Sequence, residues 1–566
     1  MKVSMQHEYS KVDVLIVGAG PVGMVLACEL IRHGLSVKVI DKSPTTKQYS
    51  RAPVFWPRAQ EALELMQLHH LWEGTYTTLR RMNVNVYGKP AGIVHLDACE
   101  SSKPVPIMVG QDVTEQILDA HLGLIGNPVA RSVEAESIEM HANGVKAWLR
   151  HTDGSRQMVK AGWIIGCDGT NSMVRDAVKI QWEGRALKGL MVPVADAKAK
   201  WSLPEGDGDA YVALTEQGYL LAIPMPELWR VIVATPDTTA PGETPTTTLD
   251  GVAQLTSEAI GGPVELSEPK WVSVVRYGNY MAPTFRAGRA LLAGDAAHSI
   301  APLSGQGMNV GVQDAFDLAW KLAYVHKGWA EDSLLDTFTA DRKPVAARLV
   351  AFTNRFFDRV LAPGRVQRTV AKFVAPRALK RARIRKKIAG FYTGTDICYP
   401  ESPLNDVSTG RLPAPGSFAR DADVVAWEGL RPMRFFEALD GLKWSIVLFS
   451  GADFRPASMF VAAEDCRGIA SFFGTDRIQV IQVIGAASAT NLGVSRDSLV
   501  LVDPWRRLHD KYSASKGAIV VIRPDGYLAM NAPLDDRSLD RVKSLIGKTM
   551  LGNSAPGALN GDTPKA

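Results

Sequence analysis

The chain has few cysteines and no pattern among them. Its 566 residues contain five, Cys28, Cys99, Cys167, Cys398 and Cys466, widely scattered. No CxxC occurs and no metal-ligand spacing appears, so neither a dithiol centre nor a metal site is expected. An odd number of thiols in a chain of this size fits a reducing, cytoplasmic compartment. Met1 to Lys11 is polar and charged, which argues against a secretory leader. There is no run of 18 apolar residues, so no membrane span is expected. Internal repeats are lacking. Neither sign of charge dominates: 64 basic against 59 acidic residues leave +5, too mild to imply a nucleic-acid partner.

What is present begins at Val12. Val12 to Val17 is a short apolar run that reads as a buried parallel strand. Gly18-x-Gly20-x-x-Gly23 follows at once, and Met24 to His33 reads as a helix. Gly18 permits a tight turn, Gly20 close approach to a pyrophosphate, and Gly23 close packing of helix on strand. The helix N-terminus, with Pro21 and Val22, then faces the phosphates with free N–H groups and its positive dipole end. A second strand, Ser36 to Ile40, ends in Asp41. An acid about 20 residues past the glycines suits a ribose hydroxyl. Two further segments, Gly166-Cys167-Asp168-Gly169 and Leu291 to His298, have the look of contacts to the same dinucleotide.

A chain this long requires two or three domains. Residues 1–180 have α/β character. From 181 to 275, stretches such as Tyr219–Ile223 and Trp229–Ala234 read as strands of an inserted β-sheet domain. Residues 276–400 return to nucleotide-binding character and add helices over Asp314–His326, Ser333–Phe356 and much of Val366–Gly390. Pro400 to Ser417 carries four prolines and reads as a linker. Strand-like Trp444–Ser450, Ile478–Val483, Leu499–Val502 and Ala518–Ile522 alternate with helical stretches, which gives a third α/β domain over 418–550. The tail, 551–566, is expected to be disordered. Arg365 to Lys387 is locally basic; its spacing favours one solvated helix face over a patch for anionic membrane or nucleic acid.

Taken together, the motifs resemble those of the single-component flavin monooxygenases of the para-hydroxybenzoate and phenol hydroxylase kind. The branch that acts on phenols and aromatic polyketides, with a thioredoxin-like C-terminal domain, is the nearest in pattern. Gly18 to Gly23 matches the first FAD motif. Ile165 to Arg175 matches the middle motif, which that family uses for FAD and NAD(P)H. Gly288 to His298 matches the third, in which Asp295 is expected to bind the ribityl chain and Gly294 is a further cofactor contact. Pro302 to Asn309, with Gly305, Gly307 and Met308, is similar to the loop that lies along the isoalloxazine. Asp41 with Lys42, Arg51, Arg58, Gln111 with Glu115, Asp168, Gly169 and Arg175 stand where the family places cofactor contacts. Val521 to Tyr527 resembles the terminal motif of that branch. The chain departs from the pattern in three places: Asp41 stands where Glu is common, Ser304 precedes Gly305 where two glycines are usual, and the last domain lacks CxxC.

The resemblance implies a Rossmann-like FAD-binding domain and an FAD-dependent monooxygenase. It would use NAD(P)H and O2 to hydroxylate a small phenolic or polycyclic aromatic substrate through a flavin C4a-hydroperoxide. It leaves room for a homodimer. N–H groups of the loop after Gly305 would stabilise the negative charge of reduced flavin. No catalytic base is identified. Tyr219, Arg230, Arg276 and Tyr280 lie in or just after the substrate sheet, and strand alternation turns about half of such residues away from it. Trp56 and Trp229 read as core in preference to pocket walls, and His298 as either a channel residue or a hydrogen-bonded structural one. The alternatives are an FAD oxidase or dehydrogenase without oxygen transfer, a non-catalytic FAD-binding module, and a halogenase, whose tryptophan-rich signature is missing.

Overall fold

A computed structural model describes residues 9–47, 52–187, 189–203, 206, 208–216, 218–237, 239, 246–275, 278–302, 305–358, 365–451, 456–485 and 499–551. The chain divides into two compact units, Met1–Phe316 with Arg342–Asp396, and Asp317–Asp341 with Ile397–Ala566.

The first unit is built on two large sheets. In the eight-stranded sheet, the strand Tyr9–Val17 lies between Val37–Asp41 and Arg156–Gly166, all parallel, and Ala290–Leu292 adds beyond Arg156–Gly166. The interior strands are apolar on both faces: Val14, Leu15, Ile16, Ile164 and Ile165 are fully buried, as strands of a covered parallel sheet must be. The helix Pro21–Arg32 starts with Gly20 as its N-cap and Pro21 at its first position, where the missing N–H costs nothing. Register aligns Val17 with Gly166 and Gly166 with Leu292. Three segments far apart in sequence therefore leave the sheet side by side, at the carboxyl ends of parallel strands.

The seven-stranded sheet runs Val264–Val275, Leu190–Trp201, Leu228–Pro236, Tyr219–Met225, Asp209–Leu214, Arg81–Val86 and Lys89–His95. Its last two strands come from within the stretch read as the first α/β domain. Asp209–Leu214 pairs in parallel with Arg81–Val86, a junction between residues too far apart in sequence for local pattern to show it. One face carries a core of Val192, Val194, Tyr219, Ile223, Leu379 and Ala389, so the helices Arg365–Leu379 and Ala382–Thr393 cover it. On the other face the helix Leu249–Ile260 packs through Val252. Trp229 sits there, edge-on to Trp201, as core.

The second unit holds another seven-stranded sheet, with Leu499–Asp503, Ile478–Gly485 and Trp444–Gly451 parallel at its centre and antiparallel strands on both sides. The helices Pro456–Phe473 and Asp536–Thr549 bury Met459, Cys466, Val542 and Ile546 in one core with Trp320, Trp444 and Val521. Pro400 to Ser417, read as a linker, is instead part of this unit. Asp406 and Gly416 donate backbone N–H groups to Ala529 and Leu528 at 2.7 Å, and Tyr399 stacks on Tyr527. The segment covers the sheet's edge strand, Leu528–Ala532, which would otherwise present unpaired backbone groups. The tail beyond residue 551 and part of the Thr235–Thr248 loop lie outside the described residues.

Candidate active site

A cleft of about 790 Å3 opens in the first unit. At one end it is lined by Gly18, Gly20, Pro21, Val22, Asp41, Lys42, Gln111, Glu115, Asp168, Gly169 and Asp295, at the other by Tyr219, Leu221, Ile223, Arg230, Ile232 and Trp271 of the seven-stranded sheet. Pro302, Gly305, Gly307 and Met308 line it as well.

The glycines divide into two kinds. A Cβ on Gly18 would stand 2.3 Å from the Cys167 carbonyl oxygen, and one on Gly23 2.1 Å from that of Gly18. Gly18 also takes φ of +104°. These two glycines are demanded by the protein itself. A Cβ on Gly20 or Gly307 would meet no protein atom within 4 Å. At these positions the backbone faces the open cleft, as a cofactor cradle requires.

Hydrogen bonds fix the carboxylates around this cradle. Asp41 accepts from the N–H of Ala19 and of Ser43, both at 2.8 Å, and so ties the turn to the end of the second strand. Asp168 accepts from the N–H of Met173 at 2.7 Å and of Val174 at 3.2 Å, which caps the helix Met173–Ala177. Its other oxygen, Oδ1, is buried without a hydrogen-bond partner among the described residues. Burial pushes the Asp168 carboxyl above its ordinary range, against the pull of hydrogen bonds from Ser172 and Val174. Gln111 donates to Glu115 at 2.8 Å.

Behind the third motif lies Asp314, fully buried. It accepts from the Gly294 N–H at 3.0 Å and pairs with His298 Nε2 at 2.6 Å and Arg342 Nε at 2.7 Å. Burial pushes its carboxyl up, but His298 and Arg342 outweigh that and hold it below the ordinary value. His298 is thus structural: it anchors the loop that presents Asp295. Asn309 acts similarly. It accepts from the Trp56 N–H at 2.7 Å and donates to the carbonyls of Val54 and Gly305 at 2.9 and 3.0 Å. Trp56 returns a bond from its indole Nε1 to Gly305 at 3.1 Å. The loop before the helix Gly307–His326 is therefore latched to residues 54–56, and Trp56 both packs and lines the cleft.

Other expected contacts stand outside the cleft lining. Arg58 pairs with Glu61 and donates to the Thr395 carbonyl. Arg175 lies 4.0 Å over the Trp182 ring and donates to the Ala296 carbonyl at 3.3 Å. Tyr280 stacks on Trp182. Asn309 points to segment 54–56, and Gly23 and Gly294 pack against neighbouring backbone and Val22. Arg51 and Arg276 fall outside the described residues, as does Ser304.

At the sheet end, Tyr219 and Arg230 are the titratable side chains among the described lining residues that the sheet supplies. Arg230 is held by Asp196 in a buried bidentate pair, at 2.7 and 2.6 Å. Burial raises the Tyr219 hydroxyl well above its ordinary value, and burial pushes Tyr392, across on the helix Ala382–Thr393, up to about 12. Both keep their protons at neutral pH. Sequence reading missed Tyr392, Trp271 and Arg131, all of which line the cleft. Arg131 had a faint signal only: its strand is two residues long, Ala130–Arg131.

Comparison with known proteins gives a consistent result. The FAD binding domain family matches residues 11–353. The chain is 33% identical to the 6-methylpretetramide 4-monooxygenase of Streptomyces rimosus, over 98% of this chain and 97% of that one. It is 29% identical to the pentachlorophenol 4-monooxygenase of Sphingobium chlorophenolicum, over 62% of this chain and 65% of the other. Among solved structures, the anhydrotetracycline hydroxylase OxyS from Streptomyces rimosus shares the fold, with a TM-score of 0.73 at 24% identity, over 95% of this chain and 99% of that chain.

Proposed function

Because the chain belongs to the FAD-dependent aromatic monooxygenases, we propose that it uses NAD(P)H and O2 to hydroxylate a phenolic, polycyclic aromatic substrate. One observation supports this most: the nucleotide turn and an apolar sheet wall line the same cleft. The substrate class follows the relative that spans nearly the whole chain, a monooxygenase named for a pretetramide.

Bound FAD supplies electron transfer and oxygen activation, which are the cofactor's own chemistry. The chain's residues bind and orient. Gly20 and the start of the helix Pro21–Arg32 receive the pyrophosphate. Asp41 and Lys42 would hold the adenosine end, Asp295 the ribityl chain, and Gln111 and Asp168 the groups between. Gly305, Gly307 and Met308 would border the ring system, where the N-terminal end of the helix Gly307–His326 would favour the negative charge of a reduced flavin. Leu221, Ile223, Ile232 and Trp271 exclude water from the reacting end. Tyr219 holds its proton and so hydrogen-bonds the substrate as a donor. Arg230, held by Asp196 in its bidentate pair, fixes the wall.

Labelled oxygen tests the reading. With a polycyclic phenol and 18O2, NAD(P)H oxidation is expected to rise with substrate, and each hydroxylated product to carry one labelled atom. Oxidised product without label would instead identify an oxidase if the reducing equivalents are recovered as hydrogen peroxide, or a dehydrogenase if they pass to an acceptor other than O2.

A further inference from the structure

Residues 365–395 contain ten Lys and Arg and no Asp or Glu. They form the helices Arg365–Leu379 and Ala382–Thr393. The inner face of this pair is accounted for: Ala371, Ala375, Leu379, Ile388 and Ala389 pack on the seven-stranded sheet. The outer face is not. Val370, Phe373 and Val374 are 53%, 55% and 54% exposed. Their spacing, i, i+3 and i+4, places them in one apolar stripe. Exposed Arg377, Lys380, Arg381, Arg383, Lys386 and Lys387 follow directly, and Lys89 of the sheet lies 5.5 Å over the Phe373 ring. Among the described residues, the acids that reach this stretch are Glu216 and Glu100, at 3.9 and 3.5 Å from Lys372 and Lys386.

A fully solvated face has no use for a stripe of Val, Phe and Val, which departs from the solvated-face expectation. A second copy is disfavoured, since two such surfaces would bring like charges together. Nucleic acid would use the cations and leave the stripe in water. An anionic lipid surface uses both: headgroups pair with Lys and Arg, and the apolar side chains enter the headgroup–acyl boundary. Among the described residues no helix is long and apolar enough to cross a membrane, so the contact is peripheral.

We propose that the helices Arg365–Leu379 and Ala382–Thr393 dock the protein on anionic bilayers, with Val370, Phe373 and Val374 inserted and the following cations on the headgroups. The second helix also carries Tyr392, which lines the cleft. The surface thus belongs to a helix pair that also contributes to the lining of the cleft. The docking itself does not depend on the proposed activity.

The test is flotation of the FAD-loaded, full-length protein with vesicles of phosphatidylcholine alone or mixed with phosphatidylglycerol. Binding is expected to the mixed vesicles only, and to fall as salt shortens the Debye length from about 10 Å at 0.1 M to about 3 Å at 1 M. Phe373→Ser with Val374→Ser should lower the partition coefficient by about tenfold, for the lost insertion of two apolar side chains. Lys386→Glu with Lys387→Glu should abolish binding at low salt while flavin content and far-ultraviolet circular dichroism stay as in the parent. Absence of binding to mixed vesicles, or binding that both variants leave intact, would overturn the proposal. So would a low-salt shift from monomer to dimer that the serine variant removes, since that assigns the stripe to a second copy. Turnover is not read, so failure here leaves the monooxygenase reading standing, and the reverse.

Discussion

Gly20 and Gly23 stand three positions apart and answer to different demands. A methyl on Gly23 runs into the Gly18 carbonyl, so Gly23→Ala is expected to destabilise the fold by about 1–3 kcal/mol, the usual cost of overpacking, seen as a lower urea midpoint. A side chain on Gly20 meets open cleft. Gly20→Val should leave the urea midpoint of the apoprotein unchanged and abolish FAD retention. Asp295→Ala should weaken FAD binding by about 1.5–3 kcal/mol, the worth of a hydrogen bond to a charged group, read by fluorescence titration of apoprotein. Asp314 adds a pH dependence. Its folded carboxyl is held below the ordinary 3.8, so the stability it contributes is complete above that value and is lost as pH falls below it through the lower folded pKa. Asp314→Asn should cost about 3–5 kcal/mol at neutral pH by leaving Arg342 and His298 against a neutral amide, and should flatten the acid limb of the stability curve. At this scale the sequence announces residue types, not directions. Gly18 and Asp41 could be placed because a turn fixes where they face. Arg58 and Arg175 could not, because a long side chain may leave its backbone position in many directions, and here they turn to Glu61 and Trp182.

Short apolar runs bounded by turns were readable as elements. Val12–Val17, Tyr219–Ile223, Trp444–Ser450 and Ala518–Ile522 each lie within an observed strand, and the helix expected over Met24–His33 runs over Pro21–Arg32, three residues earlier at its start and one at its end. Pairing was not readable. Nothing local tells Arg81–Val86 to join Asp209–Leu214. Pro400 to Ser417 misled for the same reason: its prolines suit a linker, and only the bare edge of Leu528–Ala532 explains why it is packed down. The latch at Asn309 is likewise tertiary. Asn309→Ala removes the acceptor of the buried Trp56 N–H bond and the amide donor to the Val54 and Gly305 carbonyls. It should cost about 1–3 kcal/mol and slow flavin reduction, measured by stopped-flow absorbance, with the overall helix content kept.

Over the whole molecule, buried charge accompanies both units. In the second, Arg523 pairs with Asp317, Asp341 and Asp525, and Lys321 with Asp317 and Asp341, all fully buried. Burial pushes Asp317 well up, while Lys321 and Arg523 hold Asp341 down. Arg523→Ala strands these acids and should destabilise the chain by about 3–5 kcal/mol, read as a shifted denaturant midpoint. The terminal motif Val521 to Tyr527 thus has a structural reason to exist. In the first unit, the convergence of Gly18, Asp168 and Asp295 was visible in the motifs, and the sheet register supplies its cause. FAD titration of the refolded apoprotein tests the central claim, that this cleft is a flavin site, most directly. The account predicts saturable uptake near one flavin per chain, lost in Gly20→Val with the fold intact. A folded parent protein that takes up no FAD, or a valine variant that binds it as tightly as the parent, would contradict it.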